Sequence, residues 1–181
     1  MHIAVYCSAA NSLPRPWQQA AEALGAWIGR KNATLVYGGV DAGLMAIVAR
    51  AAKENGAKIA GIVPMRRKKS ASPLNDVLVP TSDLNDRKGV MQMLGDAFVV
   101  LPGGYGTLDE FTTSFSYLNF TGQDKPIVIY NPDNLFDHLL AQLNVMAERG
   151  LMDPAKLEKI HVVTDIDTML ATLDRTFDPQ K

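Results

Sequence analysis

Within Ala97-Phe98-Val99-Val100-Leu101-Pro102-Gly103-Gly104-Tyr105-Gly106-Thr107-Leu108-Asp109-Glu110, a strand, a turn and the start of a helix follow one another. The first five residues are apolar and short enough for a buried strand. Beyond the glycines, Leu108, Phe111, Phe115 and Leu118 recur at helical spacing. Glycines between them let the backbone turn and let a ligand approach closely. The first amides of the helix have no internal acceptor and carry the positive end of its dipole, which suits a phosphate. Thr107 and Glu110 stand one helical turn apart and share a face. By geometry alone, a merely tight strand–helix connection remains the alternative.

Working outward, the same alternation repeats. Residues 3–7 read as a first strand, 12–30 as a helix entered through Pro14 and Pro16, and 33–37 as a second strand. Gly38-Gly39-Val40-Asp41-Ala42-Gly43 forms a turn before an alanine-rich helix over 44–54. A third strand covers 58–63. Residues 65–73, with Arg66-Arg67-Lys68-Lys69, read as a mobile loop, either a solvated charge run or a lid with a phosphate contact. A short strand over 76–79 and a helix over 82–94 follow. After the central stretch, whose helix runs to about Phe120, come a strand at 126–130 and a helix at 134–149. Asp153-Pro154 then has the pattern of an N-cap with proline at the first helical position. A last strand at 160–163 and a final helix from Thr164 complete the chain.

Strands alternating with helices predict an α/β fold, a doubly wound, mostly parallel sheet with helices on both faces. Residues 1–181 read as one domain. Ligands in such sheets bind beyond the carboxyl ends of the strands, at a topological switch point. Three turns fall at those ends: 7–11, 38–43 and 102–107.

Composition narrows the function classes. Of 181 residues, 47% are apolar, and 18 basic residues nearly balance 19 acidic ones, so a strongly basic nucleic-acid binder is not indicated. A single cysteine, Cys7, excludes an internal disulfide and a multi-cysteine metal site. The opening residues lack the pattern of a secretory signal. No apolar run reaches about 18 residues, so no membrane span is expected. A cytoplasmic protein is the default expectation.

The glycine loop is neither a dinucleotide fingerprint nor a kinase-type P-loop, since no Gly-Lys-Ser/Thr follows it. No G-x-S-x-G elbow is present. His2, His138 and His161 are scattered without ligand spacing, so no metal is expected. Cys7, at a strand end and without an obvious His partner, reads as a small buried apolar residue. Glu110 admits two readings, a complement to the helix dipole or a catalytic carboxylate. The second gains weight if Arg87 meets it in space, yet Arg87 suits a polar helix face equally well.

With these residues assembled, a resemblance emerges. Pro102-Gly103-Gly104-Tyr105-Gly106-Thr107-Leu108-Asp109-Glu110 resembles the P-G-G-x-G-T-x-x-E signature of the Lonely Guy family, the cytokinin riboside 5′-monophosphate phosphoribohydrolases once labelled lysine decarboxylases. Asp86-Arg87-Lys88 is similar to the family's arginine–lysine pair, and Tyr37-Gly38-Gly39 with Gly43-Leu44-Met45 to its second glycine turn. The similarity spans nearly the whole chain. It implies a Rossmann-like fold, a homodimer or higher oligomer, no cofactor and no metal, and a purine nucleoside 5′-monophosphate as small-molecule partner, cleaved to free base and ribose 5-phosphate. It implies Arg87 and Glu110 as the catalytic pair. Ser8, Gly38, Gly39, Lys88, Gly103, Gly104, Tyr105, Gly106 and Thr107 become the substrate-binding set. Nucleic acid and membrane are not expected partners. The chain departs from the family pattern at Ser8-Ala9, Val40, Ala46, the basic run 66–69 and Tyr117-Leu118-Asn119-Phe120, positions that bear on which base is accepted. A nucleotide-binding sensor without turnover is the alternative on the same fold. A lysine decarboxylase would need a Schiff-base lysine that nothing in the sequence marks out.

Overall fold

The computed structural model describes residues 1–177. Seven apolar segments become strands: β1 (His2–Tyr6), β2 (Thr34–Tyr37), β3 (Lys58–Pro64), β4 (Val77–Thr81), β5 (Ala97–Val100), β6 (Ile127–Tyr130) and β7 (Ile160–Val163). They pair in parallel as one sheet in the order β4-β3-β2-β1-β5-β6-β7. Every residue of β5 and β6 is buried, whereas the edge strands β4 and β7 are partly exposed. Burial on both faces is what continuous apolar runs require, because crossover helices cover each side of a parallel sheet.

Six α-helices supply those covers: α1 (Arg15–Arg30), α2 (Gly43–Glu54), α3 (Leu84–Leu94), α4 (Tyr105–Thr121), α5 (Asp137–Glu148) and α6 (Ile166–Phe177). Successive strand residues point to opposite faces. Ile3, Val5, Leu35 and Val99 therefore pack with Leu24 and Ile28 of α1, Val48 of α2 and Leu173 of α6. Ala4, Tyr6, Val36, Phe98 and Val100 pack on the other side with Met91 of α3 and Phe111, Phe115 and Leu118 of α4. Among the described residues, no helix is long and apolar enough to cross a membrane.

The sequence-based boundaries shift where caps intervene. Helix α1 begins at Arg15 rather than residue 12, since Pro14 is extended at ψ 141°. Helix α3 begins at Leu84 rather than residue 82, because the Asp83 carboxylate caps it by accepting the amides of Asn85 and Asp86 at 2.8 and 2.9 Å. Helix α5 begins only at Asp137. Asp133 and Asn134 take left-handed angles after Pro132, which leaves a short 3₁₀ turn there. Asp153-Pro154 caps a 3₁₀ helix over Pro154–Lys159 instead of an α-helix. The basic segment expected as a mobile loop is also helical, a 3₁₀ helix over Met65–Ser70. It is tied down immediately afterwards, where Ala71 bridges to Val40 and the Ser72 amide donates to the Gly39 carbonyl at 2.7 Å.

Strand order runs outward from β1 to β4, then returns beside β1 at β5. Helix α3 makes that return, packing across β3, β2 and β1. The switch point thus lies between β1 and β5, at whose carboxyl ends residues 7–11 and 101–107 leave the sheet.

Candidate active site

Main-chain hydrogen bonds join the three strand-end turns. The Ser8 amide donates to the Pro102 carbonyl at 3.1 Å, and the Leu44 amide donates to the Ser8 carbonyl at 2.9 Å. The Gly43 amide donates to Asn11 Oδ1 at 3.2 Å, while Ser8 Oγ accepts the Ala10 amide at 3.0 Å. At Gly39, φ is +71°, a left-handed angle that glycine adopts without steric cost. Its carbonyl also accepts Asn75 Nδ2 at 3.0 Å.

Helix α4 opens directly onto this crevice. Gly104 is its N-cap and offers no side chain. The Leu108 amide makes the first helical bond, to the Gly104 carbonyl at 3.1 Å, so the amides of residues 105–107 have no acceptor within the helix. A Cβ on Gly104 or Gly106 would meet nothing within 4 Å. Open space above free amides at a dipole's positive end is an anion site in waiting. Thr107 is buried, held close against Gly103, and Tyr105 projects into solvent at 92% exposure.

One turn into α4, Glu110 is buried, and its Oε1 pairs with Nη2 of Arg87 from α3. The contact that the sequence left open is therefore made. Burial pulls Arg87 below the ordinary guanidinium range, while Tyr6, Cys7 and Asp109 act in the opposite sense. Its Nε is buried without a hydrogen-bond partner. Gly38 stands directly behind this side chain, since a Cβ there would lie 3.3 Å from Arg87 Nη2 and 2.8 Å from Met45 Sδ. Beneath the pair, the Tyr6 hydroxyl and Ser114 Oγ share a buried hydrogen bond of 2.7 Å, and Gln92 Nε2 lies 3.5 Å from Ser114 Oγ.

A cavity of about 450 Å³ has residues 7–10 and 104–107, Met45, Arg87 and Glu110 as its walls. Of the residues selected from sequence, Ser8, Arg87, Gly104, Tyr105, Gly106, Thr107 and Glu110 meet there. Gly38, Gly39 and Gly103 instead shape the backbone behind the walls. Lys88 does not line this cavity either. Its Nζ donates to both carboxylate oxygens of Asp109, each at 2.7 Å. Sequence reasoning passed over Met45 and Cys7 as wall residues, and Asp109 altogether. For Met45 the available signal was its place in the first turn after a strand-end glycine. Burial pushes the Cys7 thiol up to about 12, so it is a neutral wall rather than a nucleophile. Among the described residues, no three His, Cys, Asp or Glu side chains converge as a metal site would need.

The arrangement can grip a phosphate at the start of α4 while holding a carboxylate and a guanidinium a short distance away. A group carried on that phosphate would face Glu110.

Known proteins resemble this chain over most of its length. A family profile described as "Possible lysine decarboxylase" matches residues 45–173. A cytokinin riboside 5′-monophosphate phosphoribohydrolase from Mycobacterium tuberculosis is 36% identical over 93% of this chain and 90% of its own length. The enzyme of the same name, LOG3, from Arabidopsis thaliana is 34% identical over 87% of this chain and 74% of its own. Among solved structures, the molybdenum cofactor binding protein of Rippkaea orientalis superposes with a TM-score of 0.77 at 20% identity, covering 97% of this chain and 96% of that one. The molybdenum cofactor carrier protein of Chlamydomonas reinhardtii gives 0.77 at 19% identity, covering 97% of each chain. At such identities these two structures speak to the fold alone.

Proposed function

The chain belongs to the Lonely Guy family of phosphoribohydrolases, and from that membership and the Arg87–Glu110 pair on the cavity wall we propose how it cleaves a purine nucleoside 5′-monophosphate. The products are the free base and ribose 5-phosphate. The 5′-phosphate sits on the free amides at the start of α4, beside Gly104, Gly106 and Thr107, with Ser8 on the facing wall. Grip on this remote group orients the sugar without touching the bond that breaks.

Breaking the N9–C1′ bond leaves its electron pair on the base and builds positive charge on the ribose, as in other glycoside cleavages. Glu110, ionised and held by Arg87, stabilises that charge and orients a ribose hydroxyl or the attacking water. Water supplies hydroxyl to C1′ and a proton to the departing base, so atoms and charge balance. Arg87 acts as a fixed guanidinium that holds the carboxylate and meets the nucleotide.

One observation carries this reading: a buried carboxylate–guanidinium pair facing an anion-binding helix start across a single cavity. A decarboxylase finds less support, because no lysine lines that cavity. Incubation with AMP, N6-isopentenyl-AMP, IMP and GMP, followed by chromatography of released base, tests the proposal. Base appears from at least one adenine nucleotide, and Glu110→Ala abolishes its release while the protein stays folded. Saturable binding with no product from any of them would instead identify a sensor. We also assign the exposed Leu84, Met93 and Leu94 of α3 and Phe120 of α4 to contact with a second copy, which sedimentation tests.

A further inference from the structure

Two adjacent cations on α3, Arg87 and Lys88, face two adjacent anions on α4, Asp109 and Glu110, around one small cavity of about 60 Å³. Two pairings would satisfy these charges. The structure holds Arg87 with Glu110 and Lys88 with Asp109. The Lys88 ammonium reaches both oxygens of Asp109, and Thr113 Oγ1 lies 3.5 Å away, one turn further along α4. The lysine side chain is only 11% exposed, so it is committed to this contact rather than sampling solvent.

The other pairing would cost the site its geometry. Glu110 is on the wall of the larger cavity and Asp109 is not. A guanidinium drawn to Asp109 would leave that wall, and Glu110 would lose its partner. Arg87 and Asp109 line the same small cavity, and Asp109 favours the charged guanidinium, so the two pairings compete. Among the residues lining the small cavity, the charged ones beside Glu110 are Arg87 and Lys88 from α3 and Asp109 from its own helix. Tyr6 and Cys7 of the first strand and its turn, which also face Arg87, are held neutral by burial.

We propose that Lys88 is a positioning residue, which saturates Asp109 and thereby reserves the Arg87 guanidinium for Glu110 on the substrate cavity. Its effect on turnover rests on the hydrolysis proposed above, whereas the pairing itself does not. The sequence resemblance implied a substrate contact for Lys88, and the two roles separate experimentally.

The experiment compares Lys88→Met, Asp109→Asn and the double variant with the unaltered protein. Base release from AMP or N6-isopentenyl-AMP, whichever the unaltered protein cleaves, gives kcat and KM, and ¹³C NMR follows the titration of the Glu110 carboxyl. Lys88→Met lowers kcat about tenfold or more with KM changed less than about threefold. The Glu110 midpoint moves up in it, because an unneutralised Asp109 disfavours a second negative charge. Adding Asp109→Asn restores most of the turnover and returns the midpoint. A KM rise with kcat preserved, a double variant no better than Lys88→Met, or an unmoved Glu110 midpoint each overturns the proposal. If the unaltered protein releases no base, the reaction assignment fails and the titration alone decides the pairing. Should Lys88→Met misfold, Lys88→Gln, which also removes the charge facing Asp109, takes its place, with the same readings expected.

Discussion

The Tyr6 hydroxyl and Ser114 Oγ, 108 residues apart in sequence, share a hydrogen bond of 2.7 Å inside the core. It joins the central strand to the helix that carries Glu110. Removing one partner leaves the other buried and poorly satisfied, since Gln92 Nε2 is 3.5 Å from Ser114 Oγ. Tyr6→Phe is expected to cost about 1–3 kcal/mol. Urea unfolding measures it, and the Tyr6→Phe/Ser114→Ala double variant should be less destabilised than the two single losses summed.

Two neighbouring glycines in the loop between β5 and α4 should respond differently. A Cβ on Gly103 would run into Thr107, with that residue's own Cβ only 2.6 Å away. Gly103→Ala should therefore destabilise the fold by about 1–3 kcal/mol through overpacking. Gly104→Ala meets no atom and keeps a permitted φ of −94°, so it should lose only the modest cost of alanine at an N-cap and melt above Gly103→Ala. Its methyl group, at a cavity wall, should raise KM for the nucleotide. Equal melting temperatures for the two variants would contradict this account.

Burial also sets a response to alkali. It pushes Cys7 and Tyr37 up to about 12 and raises Tyr6 as well. Unfolded, a cysteine titrates near about 8.5 and a tyrosine near about 10. Below the first of these values both states hold the protons, and the contribution to stability is complete. As pH climbs from there toward 12 the unfolded chain loses protons first, so stability falls. The urea midpoint should be lower at roughly pH 10 than at pH 8, and Cys7→Ala should flatten the early part of the decline. A midpoint constant across that range would show that these groups are not buried in solution.

The 3₁₀ helix over Met65–Ser70 exposes Arg66, Arg67, Lys68 and Lys69 at the carboxyl end of the sheet, where the cavity also lies. With strands about 4.8 Å apart, β3 ends roughly 10 Å from β1. That distance is about one Debye length at 0.1 M salt, so the cations can gather a phosphate dianion near the site. Lys68→Glu/Lys69→Glu should lower kcat/KM roughly threefold or more at low salt and leave kcat intact. The difference should vanish in high salt. Loss of kcat at every salt concentration would mean direct contact with the nucleotide instead.

Much of this architecture was legible beforehand. Apolar runs of strand length alternating with amphipathic helices suffice for a parallel sheet, and each strand was placed to within a few residues. The strand–glycine–helix connection was legible because glycine, a strand end and a helix start are all local features. Contacts between α3 and α4 were not. Arg87 and Glu110 are 23 positions apart in sequence, and only the return of α3 beneath the sheet brings them together. The same return gives Lys88 its partner in Asp109. The basic segment misled for another reason. A charge run signals solvation, but its backbone is fixed from outside, by Gly39 and Val40 of the neighbouring turn.

The bonds from Ser8 to Pro102 and from Leu44 to Ser8 run between main-chain atoms only. A floor built that way is largely indifferent to which side chains surround it, provided its glycines remain. Side chains on the cavity wall can then be exchanged one at a time without rebuilding that backbone floor. A variant library confined to residues 9, 10 and 45, all on the cavity wall, should therefore change the released base while hydrolysis persists, which chromatography of the products checks.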